Sequence, residues 1–214
     1  MKSSLPARIL DDYMVCRTRA YYTAHPESFK PRRIPDMEDS EERGRAFVSK
    51  HLAPRVLELS KECAHSRVLQ LIDCNEEKRA YYVAYEGLDR GLACKPDLVS
   101  IVLLRGGILR TLVFEVGDTD TGTVLRRKHV IPRILLYMLA AYIYHGIPPV
   151  GLYISLSPKS SPPALAIVSK SGRVGISRIL REVSEIVSAP STPEPLGKPA
   201  CSHCVYAPTC RFTV

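Results

Sequence analysis

Four cysteines limit how this chain of 214 residues can fold. Cys201, Cys204 and Cys210 form a C-x2-C-x5-C run near the end of the sequence, whereas Cys16 stands alone near its beginning. Tetrahedral iron and zinc sites take four soft ligands, so the three clustered thiolates need a fourth partner. His203 would complete a local zinc knuckle. We favour Cys16, because its short segment of arginines and tyrosines suits a tail that folds back onto an N-terminal helix.

The other three cysteines, Cys63, Cys74 and Cys94, follow no motif spacing. We expect them to be buried as small hydrophobic residues, since free cysteine is among the most buried residue types. A Cys63–Cys74 disulfide would fit only the oxidised cytosol of a hyperthermophile. The sequence starts without an apolar signal-peptide region, and no apolar run approaches the ~20 residues of a membrane span. A cytoplasmic protein without membrane attachment is expected.

The charge balance favours an acidic partner. The chain has 30 Lys and Arg residues against 22 Asp and Glu, a formal net charge of +8. Nucleic acid is the polyanion that this balance most readily indicates, although a well-solvated surface would have the same composition. The basic residues are concentrated at 30–33 and at 126–128.

The order of predicted elements indicates an α/β fold with a mixed β-sheet flanked by helices on both faces. Short β-branched and aromatic runs predict a three-stranded meander, with Gly106 and Gly107 as a two-residue turn in its second hairpin. Strands are predicted at 81–85, 98–104, 108–116, 150–157 and 164–169, and helices from Asp39 onward with a kink at Pro54, at 128–145 and at 173–187. We expect a core over residues 1–187, a proline-rich linker at 188–199 and a cysteine tail at 200–214.

Two carboxylates are expected to meet in this sheet. Asp97 directly precedes one strand of the hairpin, and Glu115 lies near the end of the other, equally far from the turn. Pairing of the two strands therefore places these residues side by side. Adjacent carboxylates can hold Mg²⁺ or Mn²⁺ and promote attack of water on a phosphodiester. The alternative is that both are solvated charges at a strand end.

Several motifs together resemble a known nuclease family. They are Tyr13-x-x-Cys16 with Tyr21-Tyr22, the Lys95-Pro96-Asp97-Leu98-Val99 and Phe114-Glu115-Val116 segments, a helix with Tyr137, and the C-terminal cysteine run. Nearly the whole chain is similar to the RecB-like nucleases of the PD-(D/E)xK superfamily that carry an iron–sulfur cluster, in particular to the fourth CRISPR-associated (Cas) protein family. The four-cysteine layout is the specific part of this resemblance.

The resemblance implies cofactors and partners. A [4Fe–4S] cluster would be bound by Cys16, Cys201, Cys204 and Cys210, and Mg²⁺ or Mn²⁺ by His51, Asp97, Glu115 and Val116. Members of the family trim DNA ends and help process spacer precursors. Single-stranded or end-frayed DNA and the CRISPR integrase complex are therefore the expected partners, and homo-oligomerisation is compatible with this assignment.

Three positions depart from the family's pattern. Gly117 stands where the family has a catalytic lysine, and Arg133 replaces a glutamine four residues before Tyr137. His51 is the histidine nearest the family's metal position, but its distance from Gly44 is greater than in the family. It would equally suit a packed or surface role. A displaced cation is expected to replace the lysine, the candidates being Lys95, Lys128 and Arg133.

Three functions follow as hypotheses. The first is a metal-dependent DNA exonuclease or nuclease-derived processing factor, with catalytic residues Asp97, Glu115, Lys128, Arg133 and Tyr137. The second is a catalytically weak or inactive DNA-binding subunit of the CRISPR adaptation complex. The third is a zinc-ribbon interaction protein that uses His203. Asp118 and Asp120 are interpreted either as replacement carboxylates or as part of a turn.

Overall fold

The computed structural model describes residues 4–32, 35–63, 65–86, 88–121, 123, 130–157, 164–168, 173–195, 201 and 204–212. Within the ranges 35–38, 164–168 and 173–175, only the backbone is described. The predictions that involve Lys128, the rest of the basic cluster at 126–128, Arg33 or His203 lie outside the described residues.

Eight strands within this part of the chain form two mixed sheets. The larger sheet has the order β2-β5-β6-β7-β8, in which β6 and β7 are parallel and the other neighbours antiparallel. The smaller sheet has the order β1-β4-β3, with β1 parallel to β4 and β3 antiparallel to it. The strands are β1 (Leu5–Pro6), β2 (Ser66–Asp73), β3 (Tyr81–Val83), β4 (Leu92–Cys94), β5 (Leu98–Leu104), β6 (Ile108–Gly117), β7 (Pro149–Ser155) and β8 (Ala164–Val168).

Helices surround the sheets. They are α1 (Ile9–Val15), α2 (Arg17–Ala24), α3 (Pro35–Phe47), α4 (Ala53–Glu62), α5 (Ile131–His145) and α6 (Arg173–Val187), and a π-helical segment, Val48–Leu52, joins α3 to α4. Of the helices that the structure describes, none combines the length and the apolar character needed to traverse a bilayer.

Two apolar clusters lie on opposite faces of the larger sheet. Helices α1, α2, α5 and α6 and the smaller sheet share one cluster, to which Val113 of β6 belongs. The α3–α4 region shares the other, with Phe114 and Val116 of the same strand. Side chains of neighbouring strand residues point to opposite faces, so β6 contributes alternately to both clusters. The α/β class predicted from the sequence is confirmed.

Helix α5 lies very close to the larger sheet. A Cβ atom added to Gly151 of β7 would come within 2.5 Å of Ile134 Cγ2 and 2.8 Å of Met138 Sδ. The missing side chain therefore lets the helix approach the strand. Pro132 lies in the first turn of α5, and Gly146, with φ of +66°, ends the helix in the left-handed conformation that glycine tolerates.

The strand predicted at 81–85 is present as β3, but its predicted pairing with β5 in the meander is wrong. The strand that pairs with β5 is β2, whereas β3 pairs with β4 in the smaller sheet. The register of β2 shifts between Val68 and Gln70. This bulge interrupts the alternation of apolar and polar residues by which a strand is recognised in sequence.

The hairpin loop is longer than predicted. Leu104 pairs with Ile108, so residues 105–107 form the loop instead of two glycines alone. Gly106 and Gly107 have φ of +80° and +77°, a conformation that favours glycine at both positions. The longer loop leaves the symmetry of the hairpin about residue 106 unchanged.

The first long helix also differs from its prediction. Helix α3 begins at Pro35, before the predicted start at Asp39. The predicted kink at Pro54 corresponds to the π-helical segment that immediately precedes α4, with Pro54 in the first turn of that helix. Proline has no N–H to donate, and a change of hydrogen-bond pattern before it accommodates this loss.

Candidate functional site

The hairpin of β5 and β6 brings Asp97 and Glu115 together. Leu98 pairs with Phe114, and the Asp97 N–H donates a hydrogen bond to the Phe114 carbonyl at 3.1 Å. Asp97 is therefore opposite Glu115, as the sequence predicts. Glu115 is two residues beyond Val113, so it points to the α5 face of the sheet.

Both oxygens of Asp97 accept hydrogen bonds. Asp97 Oδ2 accepts from the Val116 backbone N–H at 2.8 Å, and Oδ1 accepts from Asn75 Nδ2 at 3.1 Å. Burial raises the pKa of Asp97, and these two hydrogen bonds act in the opposite direction. They also fix the orientation of the carboxylate. Asn75 was not predicted from sequence, because it lies in a turn far from either motif.

Arg133 of α5 lies between two carboxylates. Arg133 Nη2 is 2.7 Å from Glu115 Oε1, and its Nε is 3.1 Å from Asp11 Oδ2. Burial raises the pKa of Glu115 to about 8 and that of Asp11 to about 6, while the guanidinium opposes both shifts. Burial alone would lower the pKa of Arg133, but the two carboxylates raise it. Arg133 therefore remains the positive charge of the site.

Asp11 is a residue of this site that sequence reasoning missed. It comes from α1, and its Oδ1 is buried without a hydrogen-bond partner among the described residues. Its neighbour Asp12 is different, because it accepts a hydrogen bond from Thr23 at 2.6 Å and pairs with Arg19. The available signal was a pair of acidic residues placed directly after the apolar Ile9 and Leu10.

The site lies in one open pocket, whose lining does not include Asp11. Asp97, Glu115, Val116, Arg133 and Tyr137 belong to its lining, and its volume is about 1140 Å³ with the space at its mouth included. Glu115 is 7% exposed and Tyr137 is 5% exposed, so they form the floor. Its rim carries three exposed cations, Arg8, Arg45 and Lys95, and one exposed carboxylate, Glu41, which is 4.0 Å from Arg45.

Gly117 also lines the pocket, at the position where the family that the sequence resembles has a lysine. A Cβ atom at Gly117 would lie 2.7 Å from the hydroxyl of Tyr153. Tyr153 is 2% exposed and donates a hydrogen bond to the Thr119 carbonyl at 3.1 Å, so it cannot easily move aside. Tyr153 therefore already occupies the space that a side chain at position 117 would need.

The structure does not bring every predicted site residue to the pocket. His51 lies in the π-helical segment, is exposed, and contacts the ring of Phe47 at 5.7 Å between centroids. It is not among the residues that line the pocket. Asp118 pairs with Arg43. In the described part of the chain, no three His, Cys, Asp or Glu side chains are arranged to hold one metal ion.

A second cavity is lined by the four cysteines. Cys16 lies between α1 and α2, Cys201 and Cys204 lie in the C-terminal tail, and Cys210 follows a short 3-10 helix. All four line one cavity of about 440 Å³, its open mouth included. Burial raises the pKa of Cys201, and the other three thiols raise it further.

The proline-rich linker and the tail are attached to the N-terminal segment by several hydrogen bonds. The Arg32 N–H donates to the Val205 carbonyl at 2.7 Å, and Thr18 Oγ1 donates to the Pro193 carbonyl at 2.8 Å. Tyr206 is 2% exposed, and its hydroxyl is 3.2 Å from Thr23 Oγ1. These contacts explain how thiols from opposite ends of the chain meet.

The remaining cysteines follow their predictions only in part. Cys74 and Cys94 are fully buried, as predicted, but Cys63 is exposed. Cys63 is the C-cap residue that follows α4, and the end of this helix lies at the surface. All three are free thiols, so the structure contains no Cys63–Cys74 disulfide.

Comparison with known proteins adds information about the fold alone. No protein-family model matches the sequence, and no curated protein matches it. Among solved structures, the chain is similar to the crystal structure of SSO0001, with a TM-score of 0.55 at 10% sequence identity. The alignment covers 100% of this chain and 89% of that one. At this identity the likeness supports an α/β fold and carries no functional assignment.

Proposed function

We propose that this protein is a divalent-metal-dependent DNA nuclease with a PD-(D/E)xK-like core, which acts on DNA ends. The observation that carries the proposal is the pairing of Asp97 with Glu115 in a pocket whose rim has three cations and one carboxylate. Carboxylates suit a metal ion, and a rim of Lys and Arg suits the phosphates that flank a scissile bond. The net charge of +8 agrees with a polyanionic substrate.

The donor atoms on the floor fit a small divalent cation. Asp97 and Glu115 offer carboxylate oxygens and Val116 a carbonyl oxygen, which are the hard ligands that Mg²⁺ and Mn²⁺ take. Two carboxylates suffice, since Mg²⁺ usually keeps several waters. Gly44 leaves space beside Val116, because a Cβ atom there would still be 4.0 Å from the Val116 carbonyl oxygen. When bound, the ion supplies charge stabilisation and an activated water.

Arg133 is proposed to replace the charge of the missing lysine. Its guanidinium is held at the floor by Glu115, while Tyr153 fills the space beside Gly117. A guanidinium stays protonated, so Arg133 can neutralise a phosphate but cannot take a proton from water. We therefore expect cleavage to be present but slow. Loss of one preorganised donor typically costs about 10²- to 10³-fold in rate.

Cleavage of labelled single-stranded DNA in Mn²⁺ tests the proposal. The native protein should shorten the DNA, and a chelator should stop the reaction. Asp97→Asn and Glu115→Gln should abolish cleavage, whereas His51→Ala should not, because His51 lies outside the pocket. Full activity in Asp97→Asn would contradict the assignment of the site.

One observation favours a second function, a DNA-binding subunit without catalysis. The 2.7 Å ion pair between Arg133 and Glu115 already neutralises one of the two carboxylates without any metal. If the native protein binds DNA and never cleaves it in Mg²⁺ or Mn²⁺, this second function is correct. In that case Asp97→Asn should leave the affinity for DNA nearly unchanged.

We also propose that the cysteine cavity holds a [4Fe–4S] cluster that fastens the tail to the N-terminal helices. The convergence of four thiols on one cavity supports this proposal. A cubane cluster takes one thiolate for each iron, so the four sulfurs need not converge on a single ion. The zinc-ribbon alternative requires His203 and a colourless protein.

The proposal of a role in CRISPR spacer acquisition rests on the motif resemblance. The integrase complex would then be the partner, and the nuclease would trim spacer precursors before integration. Co-purification of the two proteins with and without a spacer-like DNA tests this partner. Failure of the two proteins to co-purify, both with and without the DNA, would contradict it.

A further inference from the structure

The outer face of the smaller sheet presents one aromatic ring in the described part of the chain. Tyr82 of β3 is 55% exposed, whereas its neighbours Tyr81 and Val83 are 2% and 4% exposed. The residues two positions away along the chain, which share the outer face, are Ala80 and Ala84. These small side chains do not cover the phenol ring.

The Tyr82 ring is continuous with the pocket. Tyr82 pairs with Ala93 of β4, and Ala93 pairs with Pro6 of β1. Both Ala93 and Pro6 line the pocket that contains Asp97 and Glu115. Adjacent strands are about 4.8 Å apart, so Tyr82 lies one strand beyond the edge of this pocket.

A cation lies beside the ring. Lys95 is two residues beyond Ala93, so it shares the outer face and is the diagonal neighbour of Tyr82. Diagonal neighbours across strands are about 7–8 Å apart, a distance that long side chains can span. Lys95 is exposed and lines the pocket rim. Tyr82 and Lys95 are thus diagonal neighbours on the outer face of the smaller sheet.

The backbone of Tyr82 is anchored to α5. The Tyr82 N–H donates a hydrogen bond to the Tyr144 hydroxyl of α5 at 3.3 Å. The Tyr144 ring in turn packs edge-on against Tyr81, with 5.0 Å between centroids. The β3 strand is therefore fixed to α5, and the outward ring of Tyr82 sits on a rigid base.

We propose that Tyr82 and Lys95 form a stacking subsite for an unpaired base of single-stranded DNA, whose adjacent phosphate enters the pocket. This inference rests on the proposed function of the pocket. Aromatic rings bind successive bases by stacking and cationic grooves follow the phosphates, which is the combination seen here. Bases within a duplex are stacked on one another, so only an unpaired or frayed end offers a free face to Tyr82.

The affinity of the native protein for a single-stranded oligonucleotide, measured by fluorescence anisotropy without divalent metal, tests the subsite. Tyr82→Ala should weaken binding about tenfold, within the range that stacking on one aromatic ring provides. Tyr82→Phe should keep the native affinity. Tyr142→Ala is the matched control, since Tyr142 is another exposed tyrosine (43%) but belongs to α5 and not to the smaller sheet.

An abasic oligonucleotide separates stacking from other effects. If one base stacks on Tyr82, an abasic site at that position should weaken native binding by a similar factor, and Tyr82→Ala should add no further loss. A 2-aminopurine at the same position should be quenched by the native protein and by Tyr82→Phe. Unchanged affinity in Tyr82→Ala, or equal loss with every abasic position, would overturn the subsite. If the native protein binds no DNA at all, the proposed function itself fails.

Discussion

The behaviour of the candidate site depends on one residue, Arg133. It is 22% exposed as a side chain and pairs with Glu115 and Asp11, which come from a strand and a helix far apart in sequence. Buried charges are tolerated only when they are paired. Arg133 therefore holds α1, β6 and α5 together around the pocket, whatever its role in chemistry.

Removal of this guanidinium should be strongly destabilising. Arg133→Ala leaves two buried carboxylates without their cation, and breaking a buried ion pair in this way costs about 3–5 kcal/mol. Urea unfolding measures the loss. Arg43→Ala is the control, because the Arg43–Asp118 pair is more exposed (60% and 29%) and such surface pairs contribute about 0–1 kcal/mol. Equal effects of the two substitutions would show that Arg133 is not a paired buried charge.

The free thiols should differ sharply in reactivity. Burial raises the pKa of Cys74 and of Cys94 to about 12, whereas a hydrogen bond from Ser66 lowers the pKa of the exposed Cys63. The thiolate is the reactive form, so iodoacetamide should label Cys63 first. The labelling rate of Cys63 should rise with pH at lower pH values than the rate of an ordinary cysteine does, because its pKa is lowered. Mass spectrometry of the native protein shows the order. Rapid labelling of Cys74 or Cys94 would contradict the described core.

At the scale of elements, the close contact of α5 with β7 positions Arg133 and Tyr137. Gly151→Ala should destabilise the protein by about 1–3 kcal/mol, because the new methyl group would overlap Ile134 and Met138 and force the helix outward. Gly44→Ala is the matched control. Its Cβ atom meets nothing nearer than the Val116 carbonyl oxygen at 4.0 Å, and alanine favours a helix. Unfolding midpoints that shift equally would contradict this packing.

The pairing of Asp97 with Glu115 could be predicted from sequence because it is local. Both strands have strong apolar runs, and the glycines between them fix the centre of the hairpin. Asp11 and Asn75 reach the site through tertiary contacts of a helix and a turn, which no local pattern reveals. The space beside Gly117 was equally hidden, since it depends on Tyr153 of a neighbouring strand.

The errors in the strands have a similar origin. The edge strand β2 is interrupted by a bulge, and the three-residue strands β3 and β4 are too short for a clear alternation. The three residues of β3 were recognised as a strand, but their partner was not. Which strands pair is decided by packing of the smaller sheet against α5, a contact between distant parts of the chain.

At the scale of the whole molecule, the N-terminal and C-terminal segments meet at the cysteine cavity. If the proposed cluster is present, Cys16→Ala should remove the visible absorption of the protein purified without oxygen and should lower the free energy of unfolding, since one of the four proposed ligands is lost. Cys63→Ala should change neither, because Cys63 is exposed and outside the cavity. Unchanged iron content in Cys16→Ala would show that Cys16 is not a ligand and would instead favour His203 as the fourth one.

The central claim is that Asp97 and Glu115 hold a divalent cation in a DNA-binding pocket. Electron paramagnetic resonance of free Mn²⁺, titrated with protein, measures this binding without any assay of cleavage. We predict that the native protein binds Mn²⁺, that Asp97→Asn loses this binding, and that His51→Ala keeps it. Equal binding of Mn²⁺ by the native protein and by Asp97→Asn would contradict the account, because the paired carboxylates would then not be the metal site.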